Sequence, residues 1–150
     1  MAQDFNSLLV VLNAHRRLET DDDWTHWLNA VEHLPIAPSE LGIAKLFQLL
    51  HDDFDAQHGM WALLHKIEDN ESTNFLRGFI RAVPHLQQSA PHWANICAMR
   101  ILQNTQDCVV LRTLITELPQ TDDAVPIRGL LTHIAQIEPT FAENIAFVLS

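Results

Sequence analysis

The sequence predicts an all-α protein of about eight to ten helices, arranged as a HEAT-like α-solenoid or as an irregular bundle of antiparallel helices. Three observations carry this expectation. Apolar residues recur at three- and four-residue spacing along the chain, the period of a helix face. No run alternates apolar and polar residues as a half-buried strand does, and tyrosine, a strand-favouring residue, is absent. Pro, Asp, Ser and Thr divide the chain into pieces of about three to four turns, a normal helix length. A length of 150 residues and a hydrophobic fraction of 47% suit a single domain, 1–150, with a sizeable core.

Each element follows from its punctuation. Asp4 opens a first helix with Phe5, Leu8, Leu9 and Leu12 on one face, ending near Arg17. Asp21, Asp22 and Asp23 suit the start of a second, where carboxylates meet free N–H groups and the positive end of the dipole. Trp24, Trp27, Leu28, Val31 and Leu34 form its stripe, and Pro35 and Pro38 close it. Ser39 can cap a third, apolar around most of its girth (Leu41, Ile43, Leu46, Phe47, Leu49, Leu50) and therefore expected at the centre. Asp55 can open a fourth through Met60, Trp61, Leu63, Leu64 and Ile67. Ser72 starts a fifth, carrying Phe75, Leu76, Phe79, Ile80 and Val83, which Pro84 is expected to stop.

Pro91 fits the first turn of a sixth helix, where its missing N–H does no harm. Trp93, Ile96, Cys97 and Ile101 lie along that helix. Thr105 leads into a seventh built on Val109, Val110, Leu111, Leu114 and Leu118, halted at Pro119. Asp123 precedes an eighth with Ile127, Leu130, Leu131, Ile134 and Ile137. Thr140 and Glu143 have capping-box spacing for a last helix with Phe141, Ile145, Val148 and Leu149. Gly42, Gly59, Gly78 and Gly129 fall inside these helices at about 1 kcal/mol each relative to Ala. Close helix–helix approach is their expected purpose.

Charge is distributed unevenly. Residues 1–71 hold 13 of the 19 carboxylates and 4 of the 9 Lys/Arg, a formal charge of −9, whereas residues 72–150 carry −1. The acids cluster at segment ends: Asp21, Asp22 and Asp23; Asp52, Asp53 and Asp55; Glu68, Asp69 and Glu71. Such a field repels nucleic acid and anionic membranes and attracts basic surfaces. The apolar runs are too short to span a bilayer, and Arg16-Arg17 follow the first run rather than precede it, unlike a signal peptide. Cys97 and Cys108 read as small buried hydrophobes in a reducing compartment, so a cytoplasmic location is expected.

Chemistry is sparsely signalled. No two of the 4 glycines lie close enough for a phosphate-cradling loop, and no serine sits in a nucleophile elbow. His92 and Cys97, five residues apart, would be separated by about 140° on one helix, so they make no local nucleophile–base pair. His51-Asp52 brings the metal-dependent HD phosphohydrolases to mind, with His58, His65, His15, His26, His33 and Asp107 or Asp122 as nominal further ligands. But His58 and His65 are two turns, about 10 Å, apart along one axis. The histidines are expected to face solvent or cap helices, with no metal and no catalytic set. Among 4 tryptophans, Trp27 and Trp93 lie on apolar stripes and belong in the core. Trp24 and Trp61 stand beside acid-rich turns, the pattern of a protein–protein anchor within a charged rim.

Two stretches carry a family resemblance. His51-Asp52-Asp53-Phe54-Asp55 with Met60-Trp61-Ala62-Leu63-Leu64-His65-Lys66-Ile67-Glu68 is one; Pro91-His92-Trp93-Ala94 through Arg100-Ile101-Leu102-Gln103-Asn104 is the other. They resemble the all-helical immunity proteins of bacterial polymorphic-toxin and contact-dependent growth-inhibition systems, and in particular the immunity family numbered thirty. The resemblance implies a non-enzymatic cytoplasmic protein that binds and blocks a cognate toxin domain, several such toxins being nucleases, EndoU-like ribonucleases included. A nuclease needs a basic cleft for its polyanionic substrate, and an acidic protein can fill it. The expected partner-binding residues are therefore Asp21, Asp22, Asp23, Trp24, Asp52, Asp53, Asp55, Trp61, Glu68, Asp69 and Glu71. A generic helical adaptor is the alternative.

Overall fold

A computed structural model describes residues 4–118 and 124–150. Among them run nine α-helices and no strand: α1 (Phe5–His15), α2 (Asp21–His33), α3 (Glu40–Phe47), α4 (Gln57–Ile67), α5 (Ser72–Ser89), α6 (Pro91–Leu102), α7 (Thr105–Glu117), α8 (Ala124–Ile137) and α9 (Ala142–Leu149). Short 3₁₀ turns at Phe54–Ala56 and Pro139–Phe141 lead into α4 and α9. Pro119, Asp122 and Asp123 lie outside the described residues.

Local capping accounts for most helix starts. The Asp4 carboxylate accepts the Ser7 N–H at 2.7 Å, Ser39 accepts from Gly42 at 3.4 Å, and Asn104 accepts from Asp107 at 3.0 Å. Thr20 and Asp23 close a reciprocal capping box on α2. Pro91 occupies the first turn of α6 as expected.

Three boundaries differ from the sequence expectation. Pro84 does not stop α5, which continues to Ser89. A proline in a helix interior costs about 3 kcal/mol or more. Past it the helix buries Leu86, worth about 1.5–3 kcal/mol, and closes on the buried Ala90, whose N–H donates to the Leu86 carbonyl at 2.8 Å, so burial offsets most of the cost. Asp55 does not open α4; it lies in the 3₁₀ turn before it. Thr140 and Glu143 form no capping box, because Pro139 initiates a 3₁₀ turn and Phe141, at the N-cap of α9, makes no side-chain bond.

Side-chain pairs give the order of packing. Trp24 lies against His58 at the starts of α2 and α4, and Asn70, just past the end of α4, accepts the Ala37 N–H just past the end of α2. The two helices therefore run in the same direction. Asp52 ahead of α4 bonds the first N–H groups of α6, and Glu68 at the end of α4 pairs with Arg100 in the last turn of α6, so α6 runs the same way. Helix α3 crosses α5, and α5 also touches α6, α7 and α8. The apolar cluster is continuous from Phe5 to Val148, with Trp27, Trp93, Phe47 and Phe79 fully buried. Cys97 and Cys108 are free and buried in it.

Two glycines serve close approach. A Cβ at Gly78 would stand 2.4 Å from Ile43 Cγ2 and 2.7 Å from Ile43 Cβ, where α3 crosses α5. One at Gly59 would stand 2.4 Å from Leu18 Cδ1 and 3.2 Å from the Trp24 and Trp27 rings. Gly129 departs from the expectation: nothing lies within 4 Å of a Cβ there. No helix among the described residues is long and apolar enough to cross a membrane.

Candidate functional site

The expected partner-binding residues divide into those that hold the fold and those left to solvent. Asp23 belongs to the first group. Its Oδ1 is 2.8 Å from His15 Nδ1, and its Oδ2 accepts the N–H groups of Glu19 and Thr20. The bond to His15, with help from those N–H groups, lowers its pKa below the ordinary aspartate value. His15 in turn stacks on His26, ring centroids 4.5 Å apart. Asp21 and Asp22 are exposed, the latter 3.4 Å from His26 Nε2.

The second cluster sits in the segment between α3 and α4, which is fastened on both sides. Asp52 caps α6 from a distance in sequence, accepting the His92 N–H at 3.0 Å and the Trp93 N–H at 3.3 Å. No local residue does this, because the methyl side chain of Ala90 cannot accept a hydrogen bond. Asp53 pairs with Arg17 at 3.2 Å, both exposed. Asp55 is exposed and has no side-chain partner among the described residues.

His51 departs from solvent but meets the other half of the expectation, that the histidines face solvent or cap helices: it is buried and closes the C-terminal end of α1. It is only 3% exposed. Its Nε2 lies 2.6 Å from the Arg16 carbonyl and its Nδ1 3.4 Å from the Asp53 N–H. The Nε2 N–H donates to the carbonyl, while Nδ1 faces the Asp53 N–H and also lies 3.6 Å from the Asp53 carboxylate. The carbonyl it meets is one of those a helix leaves unpaired at its C-terminus. Arg16 returns the contact: its guanidinium donates to the Leu49, Gln48 and Leu50 carbonyls at 3.2, 3.5 and 3.5 Å. Both ring nitrogens of His51 and both oxygens of Asp52 are thus engaged by backbone. Among the described residues no group of three or more His, Cys, Asp or Glu is placed to hold a metal ion.

The third cluster lies at the other end of α4, about 16 Å away along an 11-residue helix. Glu68 makes a bidentate pair with Arg100, both bonds 2.8 Å, which raises the arginine's pKa. Glu71 caps α5 through the Thr73 and Asn74 N–H groups, and those bonds lower its pKa. Asp69 is exposed, with no side-chain partner among the described residues.

The tryptophans are packed partly or wholly into the core. Trp24 is half-buried against the core. Trp61 is also half-buried, edge-on to Trp93 at 5.0 Å with the Arg100 guanidinium 5.5 Å from its ring centre. Trp27 and Trp93 are core residues as expected. Trp27 donates to the Gly59 carbonyl at 2.9 Å, whereas Trp93 Nε1 is buried without a partner among the described residues.

The fold thus joins the first two acid clusters at the α1–α2 end, through the Arg17–Asp53 and His51–Arg16 contacts, and sets the third apart. A groove of about 410 Å³, lined by Glu40, Arg77, Arg81 and Glu117 among others, lies between α3, α5 and α7 and includes none of the expected residues. Sequence reasoning passed over Phe54. It is 90% exposed at the tip of the fastened segment, between Asp53 and Asp55. Its signal was an aromatic residue that belongs to no helix stripe.

A family model described as "Immunity protein 30" matches residues 14–111. No curated protein and no solved structure matches the chain. The matched span takes in the whole of α2–α6 and all three acid clusters.

Proposed function

The chain belongs to the Immunity protein 30 family, and on that premise we propose that it binds a cognate bacterial toxin domain in the cytoplasm and neutralises it stoichiometrically, as a single helical domain without catalysis of its own. The toxin is basic, a nuclease such as an EndoU-like ribonuclease, and inhibition works by covering its substrate cleft with an acidic surface. One observation supports this mode: Asp21, Asp22, Asp53 and Asp55 are exposed at the end of the molecule where α1 meets α2 and the α3–α4 segment. They belong to the half of the chain that carries a formal charge of −9. Complementary charge accelerates encounter, so the inhibitor captures the toxin before the toxin meets RNA or DNA. Asp23 and Glu71 still contribute to the acidic field while serving as caps, because the bonds they accept lower their pKa values.

Co-expression tests the reading. The toxin domain encoded beside this gene, induced in a heterologous host, should halt growth alone and be tolerated with this protein, and the two should purify as a 1:1 complex. Growth arrest undiminished by the co-expressed, folded protein would refute it.

A further inference from the structure

The segment from Leu50 to Gln57 is held more firmly than a connection of its length requires. His51 is buried and bonded to Arg16. Asp52 is locked to the start of α6, and Asp53 is paired with Arg17. The Gln57 side chain donates to the Asp53 carbonyl at 2.6 Å and the His51 carbonyl at 3.4 Å. Helices α1, α4 and α6 all take part. At the tip of this frame Phe54 has 90% of its surface in water, more than any other exposed large hydrophobic residue described. It makes no contribution to the core, and its backbone N–H and ring are not used by any contact above. The alanine next but one, Ala56, is buried instead.

An aromatic side chain presented to water on a fastened backbone is poor for solubility and good for binding. The backbone's ordering cost is already met before a partner arrives, and a large apolar side chain gains most when enclosed. Resting on the immunity reading, we propose that Phe54 is the apolar anchor of the toxin interface, entering an apolar pocket on the toxin whose rim is basic. The charge of the rim follows from its neighbours. Asp53 and Asp55 flank Phe54 with exposed carboxylates, and the nearby cation, Arg17, answers only Asp53. Asp55 is left to pair with a partner's lysine or arginine. The acids steer the encounter and Phe54 holds the complex, a division common to interfaces in which charge sets the on-rate and a central aromatic sets the off-rate. Trp24 and Trp61, being packed against the core, are then flanking surface and not anchors.

The experiment measures binding of the adjacent toxin domain to wild type, Phe54→Ala and Val125→Ala by surface plasmon resonance, alongside sedimentation of each variant alone. Val125 is 68% exposed on α8 and serves as the control. Phe54→Ala should weaken binding about 30-fold or more, the loss falling mainly on the off-rate. Its melting temperature should match wild type because nothing in the core is removed, and Val125→Ala should bind as wild type does. Wild-type binding with Phe54→Ala within about threefold of it overturns the assignment and leaves the immunity reading intact. Wild-type protein that does not bind the toxin overturns both. A wild-type dimer that Phe54→Ala converts to monomer would assign the side chain to a self-interface and also overturn the proposal.

Discussion

Replacing Gly78 and Gly129 by alanine, one at a time, should move stability in opposite directions. Both glycines lie inside helices, α5 and α8, where alanine is favoured by about 1 kcal/mol. At Gly129 that gain stands alone, because no atom lies within 4 Å of the new methyl group. At Gly78 the methyl would press on Ile43 at 2.4 and 2.7 Å and on the Glu40 carbonyl oxygen at 3.1 Å. Ile43 Cβ and a backbone oxygen cannot swing aside, so α3 and α5 must separate. Overpacking costs typically about 1–3 kcal/mol, and contacts this close place Gly78 at the upper end. The net expectation is a loss of about 1–2 kcal/mol for Gly78→Ala and a gain approaching 1 kcal/mol for Gly129→Ala. For a chain of this size the loss corresponds to a fall of roughly 3–6 °C in melting temperature. Urea titration followed by helical circular dichroism measures both. A Gly78→Ala protein as stable as Gly129→Ala would refute the close crossing of α3 and α5.

Asp52→Ala should destabilise the fold by about 1 kcal/mol, since it uncaps α6, while Asp55→Ala, which removes no intramolecular bond, should leave the urea midpoint unchanged. The pKa values of Asp4, Asp23 and Glu71 are lowered in the folded chain by the bonds they accept. Their contribution is therefore complete above the ordinary values of 3.8 for Asp and 4.5 for Glu, and is lost as pH falls through the lower folded values. Urea midpoints measured from pH 6 downward should show this acid limb, and Asp23→Asn should flatten it. Burial pushes both the Cys97 and Cys108 thiols up. A disulfide exchange reagent at neutral pH should leave both unreacted in the folded protein and label both on unfolding.

How much was readable in the sequence depended on the distance over which each feature is determined. The caps at Asp4, Ser39 and Pro91 act within a turn of their own helices, and periodic leucines mark a face without reference to the rest of the chain. Pro84 was misread because the force that carries α5 past it is burial against other helices, which a local pattern does not record. Gly129 was misread for the converse reason: nothing tertiary requires it. The acid clusters were visible as charge, but not as bonds. That Asp52 caps a helix 40 residues on, or that Glu68 is taken by Arg100, is a property of the assembled stack. His51 followed the same rule, its burial being set by a carbonyl 35 residues earlier. Phe54 was passed over because exposure is decided by what fails to pack, and no periodicity reports that.

Electrostatic capture of a basic toxin by the amino-terminal edge can be measured by stopped-flow association kinetics. The variants should spare the acids that cap helices, Asp23 and Asp52: Asp21→Lys with Asp22→Lys, and Asp53→Lys with Asp55→Lys, compared with Asp122→Lys and Asp123→Lys in the nearly neutral half. Either amino-terminal pair should slow association with the toxin domain about tenfold or more at low salt, with the difference closing as ionic strength rises past about 0.1 M. The reversed pair at 122 and 123 should have little effect. Folded amino-terminal variants that associate at the wild-type rate at low salt, while the 122–123 pair slows it, would contradict the account.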